Sequence, residues 1–131
     1  EITENDCTGV KCDNALDCIA EMRIEREVMR SSESEACMVV IDNSESTDAE
    51  KTSAQETVDS ISQMMNVEDN IESVIKSRGY EDAFVIYDED GGIDITVIAE
   101  NMTESEVNAI ADIVHAESGI SSEYMSVCSI Y

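Results

Sequence analysis

The sequence predicts an α+β fold in two layers, its elements running helix, helix, strand, strand, helix, strand, and three observations predict it. No proline interrupts the 131 residues, and apolar residues recur at three- and four-residue spacing through two long stretches, the pattern of amphipathic helices. Ala83 to Val97 holds two β-branched segments about the turn-forming run Asp88 to Gly92, which is the pattern of a hairpin. Ser/Thr-x-x-Glu patterns, Thr47 with Glu50 and Thr103 with Glu106, stand where the second and third helices begin.

Residues 1–12 are polar, with two cysteines and a glycine and no clear period, and read as a flexible lead-in. A first helix begins near Asp13. Leu16, Ala20, Ile24 and Val28 recur every four residues, while Arg23, Arg26 and Arg30 form a second stripe, the only basic cluster in the chain. That stripe reads first as pairing with Glu27 and neighbouring acids along an exposed helix, and second as a docking surface. Cys37 to Ile41 is an apolar run that fits either a strand or the end of this helix. With the polar loop Asp42 to Thr47, residues 13–46 form a helical extension and loop.

The second helix carries two apolar stripes, Ala54, Val58, Ile61 and Met65, then Met64, Val67, Ile71 and Val74 one position out of phase. A kink or slow rotation near Asn66 reconciles them, and the two methionines read as core filler. Lys76 and Arg78 place positive charge on the last turn, and Gly79 ends the helix. Ala83 to Tyr87 forms the first strand, and Ile93, Ile95 and Val97 alternate with Asp94 and Thr96 along the second. Val107, Ile110, Ala111 and Val114 make the buried face of a third helix that runs to about Ser118 and stops at Gly119, with His115 partly exposed. Glu123 to Ile130 closes the fold as a strand.

Residues 47–131 therefore make one α+β domain, a three-stranded sheet with the second and third helices on one face. The crossover through the third helix is expected to be right-handed and to return the last strand parallel to the second. The last strand is placed beside the first and antiparallel to it, which leaves two sheet edges open.

The charge is extreme: 31 acids against 7 Lys and Arg give a net −24, and no Lys or Arg follows Arg78. Phosphate recognition needs cations that displace counterions, so nucleic acid and anionic lipid surfaces are excluded as partners. An acidic solvated surface is the reading adopted, with a basic partner or a cation as alternatives. Aromatic residues make up only 4%, so Ile, Val, Met and Ala must build the core.

Catalytic and metal chemistry find little footing. The five cysteines, Cys7, Cys12, Cys18, Cys37 and Cys128, form no C-x-x-C pair, and the single His115 cannot complete a zinc set. Cys128 reads as a small buried hydrophobe or a free thiol, and an even disulfide framework is not supported. Asp88 to Asp94 gathers four carboxylates around two glycines but fails as an EF-hand, since Gly92 and Ala99 fall where oxygen ligands belong. It reads as a charged hairpin turn. No nucleophile elbow, phosphate loop or dinucleotide fingerprint occurs, so no catalytic, cofactor-binding or metal residue is assigned. The chain opens on Glu1 without an initiator Met and holds no apolar run of membrane-spanning length, so it reads as an excised piece of a longer protein.

The run Ile71-Glu72-x-x-Ile75-Lys76-x-x-Gly79-Tyr80-Glu81-Asp82-Ala83-x-Val85 resembles the stage III sporulation protein AH family of endospore-forming bacteria. The resemblance takes in Arg23, Arg26 and Glu27, then Ile41-x-Asn43, Glu50-Lys51-x-x-Ala54, Met102-Thr103-Glu104-x-Glu106-Val107-x-x-Ile110 and the closing strand, roughly residues 21–128. It implies a ring-building-motif domain of αββαβ order that is not an enzyme and carries no cofactor. It also implies an upstream transmembrane helix in the mother-cell membrane, a location between mother cell and forespore, and assembly with stage II sporulation protein Q into a channel-like zipper. An acidic cation-binding domain or a generic protein-interaction domain is the alternative. The charge is expected to keep the domain monomeric alone, with any ring formed only within the assembly. For the partner contact, the expected residues are Tyr124, Ser126, Cys128 and Ile130 on an open closing strand, or the outer face of the first helix around Arg23 and Arg26.

Overall fold

The computed structural model describes residues 3–4, 9–88 and 90–131, so the sequence readings on Cys7 and Glu89 lie outside the described residues. Along the chain the elements are β1 (Thr3–Glu4), α1 (Ala15–Asp42), α2 (Asp48–Ser77), β2 (Ala83–Tyr87), β3 (Ile93–Ile98), α3 (Glu104–Ser118), a 3-10 turn (Ser122–Tyr124) and β4 (Met125–Ile130). The α+β class and, from α1 onward, the element order agree with the sequence expectation; β1, in residues read as a lead-in, adds a fourth strand to the expected three.

Local chemistry sets the boundaries. Asn14 caps α1 by accepting the Asp17 N–H, and both expected capping boxes close: the Thr47 hydroxyl accepts from Glu50 N–H while the Glu50 carboxylate accepts from Thr47 N–H, each at 3.1 Å, and Thr103 and Glu106 repeat the exchange. Cys37 to Ile41 is the end of α1, not a strand. Glycines in the left-handed region follow both later helices, Gly79 at φ 106° and Gly119 at φ 76°. α2 runs unbroken past Asn66. Its buried residues Ala54, Ile61, Glu68 and Ile75 recur every seven positions, so one slowly turning seam reconciles the two apolar stripes.

The sheet order is β1-β4-β3-β2. β2 and β3 form the expected antiparallel hairpin, with Ala83 opposite Val97 and Tyr87 opposite Ile93. The final strand runs parallel to the second hairpin strand, as expected of the crossover, but departs in position: β4 lies beside β3 and not beside β2, Ile93 facing Met125 and Ile98 facing Ile130. Two physical causes agree on this placement. The β3-α3-β4 crossover returns its strand most directly to the neighbouring position. The free side of β2, where an antiparallel strand would have gone, is filled by charged side chains from α1 and α2, described below.

The other edge is covered in part. β1 pairs parallel with β4, Thr3 opposite Ser126, and Val10 bridges Ile130 further along. Gly9 N–H donates to the buried Ser129 hydroxyl at 2.7 Å, and Cys12 N–H donates to the Tyr131 carbonyl at 2.8 Å. The described part of the lead-in is thus a strap along β4, and the expectation of an open closing strand is corrected.

Alternation along the strands sorts two faces. Val85, Ile95, Val97 and Val127 point into the main core with Ile71 and Ile75 of α2 and Ile110 and Val114 of α3. On the opposite face Phe84 and Ile130 meet Ile19 of α1, with Cys12, Cys18 and Met22 around them. α1 therefore covers the sheet's second face as well as flanking α2.

The hairpin turn needs its glycines for different reasons. Asp88 Oδ1 accepts the N–H groups of Asp90 and Gly92, each at 2.9 Å, which organises the loop as a charged turn. A Cβ on Gly92 would lie 2.6 Å from the Tyr124 carbonyl oxygen and 2.7 Å from Asp88 Oδ2, whereas Gly91, at φ 87°, faces open space. Gly92→Ala is expected to cost about 1–3 kcal/mol through overpacking against fixed backbone. Gly91→Asn, which keeps a residue tolerant of the left-handed region, should change stability little. Urea unfolding of both variants checks the contrast.

Candidate functional site

Three arginines on α1 define the most ordered polar region of the molecule. Arg23, Arg26 and Arg30, spaced three and four apart, lie on one side of the helix and face α2. The two helices run antiparallel through the short loop of residues 43–47, so rising numbers on α1 meet falling numbers on α2. Arg23 Nη2 sits 2.7 Å from Asp82 and 3.3 Å from Glu72; Arg26 Nη1 sits 2.7 Å from Glu72; Arg30 Nη2 sits 2.8 Å from Glu68. Arg30 is 3% exposed and Glu68 0%, so the last pair is fully withdrawn from water. Arg26 also lies over the Phe84 ring, 4.9 Å from its centroid.

This network does more than pair charges. β2 has no strand on its outer side, and a bare edge leaves main-chain groups unsatisfied. Arg23 donates to the Ala83 carbonyl and Arg26 to the Val85 carbonyl, while Glu72 accepts from Val85 N–H and Glu68 from Tyr87 N–H, each at 2.9 Å. Side chains of alternating sign thus occupy the places where a partner strand's donors and acceptors would lie. The outer edge of β2 is therefore closed, while β1 and Val10 cover part of β4 on the other side of the sheet.

Burial and pairing pull the two key carboxylates in opposite directions. Burial pushes the Glu68 carboxyl up, and the Tyr87 N–H, Arg30 and Arg26 only partly offset it. At Asp82 burial also pushes upward, but the Arg23 hydrogen bonds, the Ala83 N–H and Lys76 outweigh it and hold the carboxyl below its ordinary range. The network is not fully closed, since Arg30 Nη1 and Glu68 Oε1 have no hydrogen-bond partner among the described residues.

The arginine stripe is thus inward, and the apolar stripe is outward, the reverse of the arrangement read from the sequence. Ile24 and Val28 are each 61% exposed, Val39 68% and Leu16 44%. Desolvating three arginines is tolerated only because α2 and Asp82 supply matching acids, and once they face inward the four-residue apolar line is turned to solvent. Arg23 and Arg26, expected near a partner contact, serve as internal ties. Tyr124 is exposed, Ser126 and Cys128 are half-buried, and Ile130 is buried under Ile19. Cys128 is disulfide-bonded, which corrects its reading as a free thiol. The acids at 68 and 72 escaped sequence reasoning, although Glu68 falls on the seven-residue line of Ala54, Ile61 and Ile75, a readable signal of a buried charge. His115 is exposed at the end of α3 with Nδ1 against the Ile120 carbonyl, and no group of three or more metal-ligating side chains occurs among the described residues.

Breaking one member of the buried pair should be costly. Arg30→Met takes from Glu68 its 2.8 Å partner, leaves only the more distant Arg26, and is expected to cost about 3–5 kcal/mol. Adding Glu68→Gln, which keeps an acceptor for Tyr87 N–H, should recover part of that loss in urea unfolding. Because the folded protein holds the Glu68 proton more tightly than the unfolded chain does, Glu68 costs stability as pH rises from 4.5 through its raised value. Unfolding of Glu68→Gln and the parent at several pH values should therefore show the difference shifting in favour of Gln across that window. Asp82, held low, gives the opposite sign: its contribution is present above 3.8 and is lost as pH falls below it, a slope that Asp82→Asn should remove.

Comparison with known proteins agrees with this architecture. The family model described as SpoIIIAH-like protein matches residues 3–127. Stage III sporulation protein AH of Bacillus subtilis (strain 168) is 33% identical over 101 residues, covering 77% of this chain and 46% of the relative. The chain thus spans about half the length of that curated relative. A chain of the solved structure of the SpoIIQ-SpoIIIAH pore forming complex superposes with a TM-score of 0.76 at 28% identity, over 85% of this chain and 95% of that one. With nearly its whole length matched by the family model and its fold shared with a solved complex, the chain belongs to the SpoIIIAH-like protein family.

Proposed function

We propose that this domain is a non-enzymatic building block of a sporulation assembly, binding a SpoIIQ-like protein in the space between the mother-cell and forespore membranes. The likeness to a chain of the SpoIIQ-SpoIIIAH complex over almost all of that chain carries the reading. An anchor in the mother-cell membrane belongs to a part of the protein outside this chain; no helix among the described residues is long and apolar enough to cross a membrane. The only histidine makes a local helix-end contact, and a shallow depression between the end of α2 and α3 is lined by Arg78, Tyr80, Glu106 and apolar side chains that make no nucleophile and base pair.

The exposed apolar side chains of α1 support a partner contact on the outward face of that helix, since the outer side of β2 is already occupied by side chains from α1 and α2. Ile24, Val28 and Val39 form an apolar line there amid acidic neighbours, and α1 is held rigid behind it by the arginine network. The net charge of −24 opposes packing of like copies, so a less acidic partner is needed to bring the domains together.

Purified SpoIIQ-like protein titrated against Ile24→Asp/Val28→Asp should bind at least tenfold more weakly than against the parent, with the thermal transition unchanged because both positions are exposed. Unchanged affinity would remove the α1 surface from the reading, and absence of binding by the parent would remove the partner itself. Sedimentation of the domain alone should give a monomer at low ionic strength; a stable ring there would overturn the charge argument.

A further inference from the structure

Among the described residues Cys12, Cys18 and Cys37 carry free thiols, and Cys12 and Cys18 pack against the same small cluster. Cys12 ends the strap along β4, fixed by its N–H bond to the Tyr131 carbonyl, and Cys18 lies in the first turns of α1, its N–H on the Asn14 carbonyl. Both side chains pack on the cluster of Ile19, Phe84 and Ile130, and both are partly exposed. The neighbouring Cys12, burial and the acids Glu21 and Asp17 push the Cys18 thiol up and hold its proton on. Cys37 lies five helical turns away on α1 and shares none of this. Meanwhile Cys128 is disulfide-bonded, so the protein matures where disulfides persist.

We propose that Cys12 and Cys18 form a redox-active dithiol whose oxidation to a disulfide staples the β4 strap to the start of α1. The oxidant is a disulfide, of a thiol oxidoreductase or of glutathione. The Cys12 thiolate attacks one sulfur of that disulfide and expels the other as a thiolate, leaving Cys12 in a mixed disulfide. Cys18, which keeps its proton until then, gives it to solvent and attacks the Cys12 sulfur, releasing the second thiolate. Two protein thiols lose two electrons and two protons; one disulfide of the oxidant becomes two thiols. Among the described residues no group of three or more metal-ligating side chains includes the pair.

The consequence is mechanical. In the dithiol form the strap from Gly9 to Cys12 is held by hydrogen bonds to Ser129 and Tyr131. In the disulfide form it is also fastened covalently to α1, across the cluster that seats α1 on the sheet, and the outer edge of β4 stays covered.

Tryptic cleavage after Lys11 and Arg23 places both sulfurs in one peptide, Cys12 to Arg23. After exposure of the native protein to oxidised glutathione and then iodoacetamide, that peptide should be lighter by two hydrogens and unalkylated, while Cys37 is alkylated or carries glutathione. The oxidised protein should melt roughly 5 °C higher than the dithiol form, as expected for closing a short loop. Cys18→Ser should instead accumulate a glutathione adduct on Cys12, since the resolving sulfur is gone. Glutathione retained on Cys12 in the parent, or all three thiols reacting alike and independently, would overturn the proposal.

Discussion

The outer edge of β2 is the constraint around which the rest of the molecule is arranged. A strand there must have its carbonyls and N–H groups satisfied, and no further strand is supplied for it. Arg23, Arg26, Glu68 and Glu72 do so from two antiparallel helices, each side chain reaching both an opposite charge and the strand backbone. Registry follows from this double use. If α1 slid by one turn, the ion pairs and the strand contacts would fail together, leaving buried charges unpaired. An apolar seam would hold the helices as firmly but would fix their relative position less sharply.

Several features follow from that constraint. With β2 sealed, β4 has only the β3 side to join, and the parallel crossover through α3 delivers it there. With the arginines turned inward, α1 shows its apolar line to solvent, an unusual exposure in so acidic a protein. The interior therefore holds much of the positive charge, and the surface carries the uncompensated acids together with a narrow hydrophobic strip. Such a surface resists self-association by long-range repulsion, yet gives a partner of suitable charge a short-range apolar contact.

The second edge is covered in part by a different device. β1 contributes only two residues to the sheet, and Val10 and Cys12 extend the coverage by isolated backbone bonds. So short a pairing is weak by itself. The buried Ser129 hydroxyl, satisfied by Gly9 N–H, and the disulfide at Cys128 both stand on the strand that this strap covers. The Ser129 hydrogen bond thus reinforces a strand that is too short to hold through ladder bonds alone.

How much was legible in the sequence can be judged element by element. The capping boxes at Thr47 and Thr103, the stops at Gly79 and Gly119 and the alternation from Ile93 to Val97 are local signals, satisfied by residues within four positions, and each element lies where they put it. The family resemblance rests on the same run of residues from Ile71 to Val85. The position of β4, the inward turn of Arg23, Arg26 and Arg30, and the closure of the β2 edge depended on contacts across tens of residues. A four-residue apolar repeat and a three-and-four arginine repeat are equally good helix faces, and periodicity does not say which one meets the protein. That choice was made by Glu68, Glu72 and Asp82, whose charges become decisive only when the helix hairpin and β2 are brought together. The sequence by itself determined the elements and the family, because caps, stops and alternation are short-range. Only the tertiary structure decided which face of α1 is buried, because the cost of desolvating an arginine depends on what lies opposite.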